Sequence, residues 1–228
     1  RLSCVSAAQT YGLWAGSDPR LHLQFPGHAR AGPVEGPHVR HWLPTEHSAE
    51  VWRVTVADCL RSVARCADEE TAVAVFDTAL TAGLVTLRQL RAILAGQPVN
   101  ARRRWMLARP GSDSGVESIV RQRLQARGHL VEQQVQVDGV GRVDMRIDGE
   151  LFLEIDRRGG SRPGALGELT GTEGPTGCSA VFHPLTASQP ARRTRRKRDT
   201  GLPQGPGGCL PALAAAVRGD AGGCNGAR

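Results

Sequence analysis

The chain has 228 residues, 40% hydrophobic and 22% charged, with a formal net charge of +7. No apolar run approaches the roughly 18 residues a membrane helix needs, so a cytoplasmic protein without a membrane span is expected. Residues 1–156 balance 18 arginines against 18 acidic side chains, so the basic excess lies in 157–228, and a charge-based case for nucleic-acid binding applies only there.

Taken in chain order, Ser6–Trp14 reads as a short helix, and Leu21–Phe25 and His38–Leu43 as short strands separated by the turn-rich stretch Gly32–Pro37. A helical block follows over about 55–96. Thr55 and Asp58 suggest a capping pair, and Val56, Leu60, Val63 and Ala67 are spaced to bury one face. Asp68 can cap a second helix with Ala72, Val75, Phe76, Ala79 and Leu80 inward and Gly83 as its stop. Thr86 starts a third, with Leu87, Leu90, Ile93 and Leu94 inward and Gly96 as its stop. Residues 97–112 form a charged linker. Its arginines, Arg102, Arg103 and Arg104, fit either a solvated helix face or contacts to phosphate.

A second unit opens near Ser112. Val116, Ile119, Val120 and Leu124 give a helix over Ser114–Arg127 with one apolar face, stopped by Gly128. Ser114-Gly-Val-Glu117 has the form of a capping box, which by itself gives Glu117 a structural use. Three strand-like segments follow: Leu130–Val137, Arg142–Ile147 and Leu151–Asp156. Asp138-Gly139 and Asp148-Gly149 mark hairpin turns between them. Residues 157–228 are rich in Gly, Pro and Arg, without periodicity apart from a short helical pattern at Leu210–Arg218. Such a segment buries too little apolar surface to offset its ordering entropy, so it is expected to be mostly disordered. Its run Arg192–Arg198 fits non-specific phosphate binding or a solvated tail.

None of the six cysteines forms a CxxC pair, so no zinc cluster is expected. Cys59 and Cys66 are read as small core residues on one side of a helix. His38, His41 and His47 match no standard metal spacing and are expected on the surface or in loops.

The carboxylates of the second unit are the main chemical signal. A three-residue loop, Asp148 to Glu150, would set Ile147 opposite Leu151 and Asp144 opposite Glu154. Asp144, Glu154 and Asp156 would then share one sheet face, with Val143, Met145, Leu153 and Ile155 on the other. A two-residue loop would separate Asp144 from Glu154. Three carboxylates on one face repel unless protonated or bound to a cation, and Mg²⁺ or Mn²⁺ would make of them an oxygen-ligand site, with Gln134 and Gln136 at its flank. The plain alternative is a solvated sheet face with Arg142 and Arg146 as ion-pair partners.

The run Ser114-Gly-Val-Glu117-Ser118, Arg121, Leu124, Gly128, Gly141-Arg142-Val143-Asp144 and Leu153-Glu154-Ile155-Asp156 resembles the very-short-patch-repair endonuclease-like branch of the PD-(D/E)XK nucleases. Upstream, Val5–Trp14 and Ala74–Leu80 are similar to the abortive-infection (type IV) antitoxin-like region that often precedes that domain. The resemblance covers roughly 2–156. It implies an α+β chain: an antitoxin-like N-terminal region (1–111) of mixed and helical structure, then an endonuclease-like core (112–156) in which a helix packs on an antiparallel or mixed sheet. It implies magnesium-dependent cleavage of DNA, with Asp144 and Glu154 as metal ligands, Glu117 as the helix carboxylate, and Asp156 where the family pattern places a lysine. After Asp156 the resemblance stops. The family's glycine, histidine and Asp/Arg-patterned helix are replaced by Arg157-Arg158-Gly159-Gly160. A reading-frame change near residue 157 would account for this and would leave an incomplete, inactive domain. A non-catalytic antitoxin-like module that binds DNA or protein is the competing expectation.

Overall fold

A computed structural model of the chain describes residues 1–27, 32–46, 50–157, 169–173 and 178–184, with only the backbone described from residue 156 onward. The fold is α+β. It divides into two compact units, Arg1–Gln122 and Arg123–Arg228. No helix among the described residues is long and apolar enough to cross a membrane.

In the first unit, helix α1 (Cys4–Thr10) is followed by a parallel pair of short strands, β1 (Leu21–Gln24) and β2 (His38–His41). Helices α2 (Val56–Cys66), α3 (Glu69–Thr81), α4 (Leu87–Leu94) and α5 (Val99–Arg103) come next, with a 3₁₀ turn at Arg104–Met106. The caps expected from sequence are formed. Thr55 Oγ1 accepts from the Asp58 amide at 3.1 Å, and Asp68 Oδ1 accepts from the Thr71 amide at 2.9 Å. Thr86 and Gln89 make a reciprocal capping box. Each such cap contributes about 1 kcal/mol. The faces they orient carry the core: Leu60, Val63, Phe76, Leu90 and Leu94 are fully buried, whereas Leu87, expected inward, is exposed in the first turn of α4. Helix α1 begins two residues earlier and ends four residues earlier than the Ser6–Trp14 expected, and Cys4, Val5, Ala7 and Ala8 are all buried. It is a core element, and small side chains let its neighbours approach closely.

Helix α6 (Gly115–Ala126) begins in this unit. A Cβ at Gly115 would stand 2.0 Å from Trp14 Cδ2, so only glycine allows the indole to lie there. Its second turn is bound to α3 through Asp77, which is fully buried. Asp77 accepts from Arg121 Nη2 at 2.7 Å, from Ser118 Oγ at 2.6 Å and from the Arg109 amide at 2.7 Å. Arg121 is itself only 2% exposed and also donates to Leu107 O at 3.1 Å. Burial pushes the Asp77 carboxyl above its ordinary range, while Arg121, Ser118 and the Arg109 amide pull it back.

The second unit holds one antiparallel five-stranded sheet in the order β3-β4-β5-β7-β6. Its strands are β3 (Val131–Val137), β4 (Gly141–Ile147), β5 (Leu151–Arg157), β6 (Leu169–Glu173) and β7 (Cys178–Pro184). The meander β3-β4-β5 matches the sequence reading to within a residue or so. Strands β6 and β7 fall in the segment whose composition suggests disorder, yet their backbones continue the sheet beyond β5. The run Arg192–Arg198 and the pattern at Leu210–Arg218 lie outside the described residues. Val143, Met145, Ile147 and Leu153 are buried. The turn after β4 is held by Asp148, which accepts from the Leu130 amide at 2.9 Å and contacts His129 Nδ1 at 2.8 Å.

Asp77→Ala leaves the Arg121 guanidinium buried without its counter-ion and is expected to destabilise the protein by about 3–5 kcal/mol; urea unfolding checks this. A second expectation concerns acid. The hydrogen bond from His129 and the Leu130 amide hold the Asp148 carboxyl below its ordinary value. Its contribution is therefore present above the unfolded pKa of about 3.9 and lost as pH falls through the lower folded value. Wild-type stability should then fall more steeply than that of Asp148→Asn on acidification below about pH 5, as measured by unfolding at stepped pH.

Candidate metal centre

The hairpin carboxylates are placed by register. Met145 pairs with Leu153, Arg146 with Phe152 and Ile147 with Leu151, so the loop holds three residues, Asp148 to Glu150. Asp148 and Gly149 both have left-handed φ, 51° and 76°, as a primed hairpin turn requires. Carried one step further, the register sets Asp144 opposite Glu154. Pairing between β4 and β5 has ceased at that point, while β5 stays paired with β7 as far as Arg157. Asp144 sits at the opening: its Oδ2 accepts from the Ile155 amide at 2.9 Å. Both Asp144 and Glu154 are half-buried. On the other side of β4, the pairs Gln133–Met145 and Val135–Val143 leave Gln134 across from Asp144, with a left-handed φ of 52°. Arg146 is bound to Glu132 on the neighbouring strand at 3.0 Å.

Other residues singled out from sequence have partners of their own. Glu117, in the first unit, is buried and bonded at the start of α6. It accepts from the Asp113 amide at 2.9 Å and from Ser114 Oγ at 2.8 Å, and its own amide donates to Ser114 Oγ. Asp156 lies on β5 across from Ser179, and its side chain is outside the described residues. Of the arginine run, Arg102 and Arg103 are exposed, the latter 3.6 Å from Glu69. Arg104 is turned inward, donating to Ala64 O and Ala67 O at 2.9 and 2.8 Å. It closes the last turn of α2, the turn that carries Cys66.

That turn belongs to a constellation the sequence reading did not anticipate. Cys4, His22, His41 and Cys66 bring one ligand atom each to within 4.8 Å of one another. The reading of Cys66 as a core residue and of His41 as a surface or loop residue is thereby corrected: Cys66 is exposed, and His41 is buried, while Cys59 lies in the core as expected. His47 lies outside the described residues, while His38 Nδ1 donates to Gly36 O in its own turn at 2.9 Å. Each ligand comes from a different element, Cys4 from the start of α1, His22 from β1, His41 from β2 and Cys66 from the end of α2. Spacing rules such as CxxC describe ligands held by one turn and are blind to this arrangement.

Backbone bonds bring the elements together. The Ser3 amide donates to His22 O at 2.9 Å, and the His22 amide donates to Ser6 Oγ at 2.9 Å. Cys4 takes a left-handed φ of 48°, uncommon for a residue with a side chain. At the centre, His22 Nδ1 is 3.1 Å from His41 Nε2 and 3.8 Å from Cys66 Sγ. The other ring nitrogen of His22 contacts Asp18 Oδ2 at 3.2 Å, and Asp18 is gripped by Arg20 Nε and Nη2 at 3.0 and 2.7 Å. These contacts bias the charges. Hydrogen bonds with Cys4, His22 and His41 hold the Cys66 thiol well below its ordinary value. Burial works against charge on His22, but Cys66 and Asp18 outweigh it and raise its pKa. Cys59, outside the cluster, is pushed up to about 12 by burial. A cleft of about 260 Å³ runs alongside, lined by His22 and Cys66 with Asp18, Arg20, Asp68 and Thr71. The first unit thus carries a Cys/His cluster able to hold a metal ion.

Compared with known proteins, the chain matches no family model, no curated protein and no solved structure.

The Asp144 carboxylate replaces a ladder bond where the strands part. Asp144→Ala should destabilise the second unit by about 1–2 kcal/mol, whereas Asp144→Asn, which retains an acceptor oxygen, should stay close to wild type. Thermal unfolding of the two variants side by side checks this.

Proposed function

We propose that the second unit is an endonuclease-like domain that hydrolyses DNA phosphodiester bonds with a divalent cation, Mg²⁺ or Mn²⁺. One observation supports the reading: the register of β4 with β5, carried one residue beyond Met145–Leu153, sets Asp144 opposite Glu154 where the two strands part. The donor chemistry fits. Carboxylate oxygens suit a hard cation, and a carboxylate has enough lone pairs for Asp144 to accept the Ile155 amide and still ligate. When bound, the cation would polarise a phosphate oxygen and lower the pKa of an attacking water.

The protein's own part is positioning. The Ile155 amide fixes the orientation of the Asp144 carboxylate, and the three-residue turn fixes which face carries it. Glu117 supports the start of α6 through its capping bonds. Arg102, exposed on α5, is available to phosphate, whereas Arg103 lies beside Glu69 and Arg104 is engaged as a helix cap.

The test is nicking of supercoiled plasmid by the full chain in Mg²⁺ or Mn²⁺. Cleavage that needs the cation and falls to background in both Asp144→Asn and Glu154→Gln is the expected result. Asp144→Asn is informative because it keeps the amide acceptor, so its loss of activity reports charge rather than folding. Cleavage that persists in both variants, or its absence in the wild type under every divalent ion, overturns the reading and leaves the non-catalytic module.

A further inference from the structure

We propose that Cys4, His22, His41 and Cys66 bind a single Zn²⁺ in a closed tetrahedral site that fastens α1, β1, β2 and α2 together. The residues are distinct from those of the proposed nuclease site, and the inference stands independently of it.

The donor set makes the first argument. Two sulfurs and two imidazole nitrogens are soft to borderline ligands, the combination of structural zinc sites, and they suit Mg²⁺ poorly. Geometry makes the second. Ligands about 2.0–2.3 Å from a tetrahedral ion lie roughly 3.3–3.8 Å from one another. Here the two nitrogens are 3.1 Å apart and His22 Nδ1 is 3.8 Å from Cys66 Sγ, with all four ligand atoms inside 4.8 Å. Small adjustments of side-chain torsions close the site on an ion.

The third argument lies one layer out. A histidine that binds a metal through one nitrogen characteristically gives the proton on its other nitrogen to a carboxylate, which sets tautomer and ring orientation. Asp18 stands in that place at His22 Nε2, and Arg20 holds Asp18 in turn. With its proton directed at Asp18, His22 turns the Nδ1 lone pair towards Cys66 and His41. Arg104 serves the fourth ligand in a similar way by closing the end of α2 just beside Cys66.

The site has a structural rather than a catalytic character, because all four positions of the tetrahedron are filled by protein. Its ligands are far apart in sequence, so the ion would join segments that helix caps and hairpin turns cannot join. Binding free energy at such a site is folding free energy. The N-terminal unit should accordingly depend on zinc for stability.

The experiment uses the full chain purified under reducing conditions, with zinc measured by elemental mass spectrometry and Co²⁺ as spectroscopic probe. Stoichiometric zinc is expected, and Co²⁺ should give the intense d–d bands of a tetrahedral site together with sulfur-to-cobalt charge transfer. Cys66→Ser should lose the charge-transfer intensity of one thiolate. Asp18→Asn should keep the tetrahedral spectrum while weakening zinc affinity about 10–100-fold, which separates positioning from folding. Cys59→Ala, at a buried cysteine outside the cluster, should keep zinc and spectrum alike. A strong chelator should lower the thermal midpoint of wild type. Metal-free protein that unfolds identically with and without chelator, and gives no thiolate–cobalt band, overturns the proposal. So does stoichiometric copper or iron in place of zinc, or loss of zinc in Cys59→Ala but not in Cys66→Ser.

Discussion

Buried polar side chains decide which elements of the first unit can pack together. Asp77 is the strongest case: it gathers a guanidinium, a hydroxyl and a backbone amide from residues 32 to 44 positions further along the chain. Apolar contact alone would tolerate many relative placements of α3 and the start of α6. An ion pair withdrawn from water tolerates very few, because either partner alone would be left at high cost. Arg104 acts by the same logic at the end of α2, and Tyr11 does so through its hydroxyl to Val54 O. Gly115 supplies the complementary condition, a surface without a side chain on which Trp14 can lie.

This explains what was legible in the sequence. Helices α2, α3 and α4 could be read because their signals are local: a threonine or aspartate at the cap, apolar residues three and four apart, a glycine after the end. The β3-β4-β5 meander could be read for a related reason, since a two-sided strand has a period of two and the turn between Ile147 and Leu151 sets its phase. The Cys/His cluster could not. Its members are separated by 18 or more positions and share no periodicity. Their convergence depends on a buried helix, a parallel strand pair and a left-handed residue at Cys4, and none of these announces itself locally. The one available hint was compositional: two histidines on short strands and a cysteine at a helix end.

Strands β6 and β7 are twelve described residues within a segment read as mostly disordered, and they leave that reading of the segment as a whole in place. Composition argues on entropy, averaged over a long segment, and gives no weight to a partner strand that supplies hydrogen bonds. The exposed ladder of β5 supplies such a partner, and β7 pairs with it over seven positions. Every backbone carries the same donors and acceptors, so a short segment without a strong apolar pattern can extend a sheet whose register is already set by a better-patterned hairpin.

The two candidate sites differ in the kind of cation they select, and this bears on how the chain could be organised. Asp144 and Glu154 offer oxygen only, and hard ions such as Mg²⁺ retain much of their water at such sites and exchange readily with substrate oxygens. Cys4, His22, His41 and Cys66 offer sulfur and nitrogen, with a carboxylate behind one imidazole, and this set favours an ion that stays. A permanent ion in the first unit would stabilise that unit without taking part in chemistry. An exchangeable one in the second would act only when phosphate is present. Ligand hardness alone therefore allows structure and reaction to use different metals in one chain, with no need for either site to exclude the other's ion by shape.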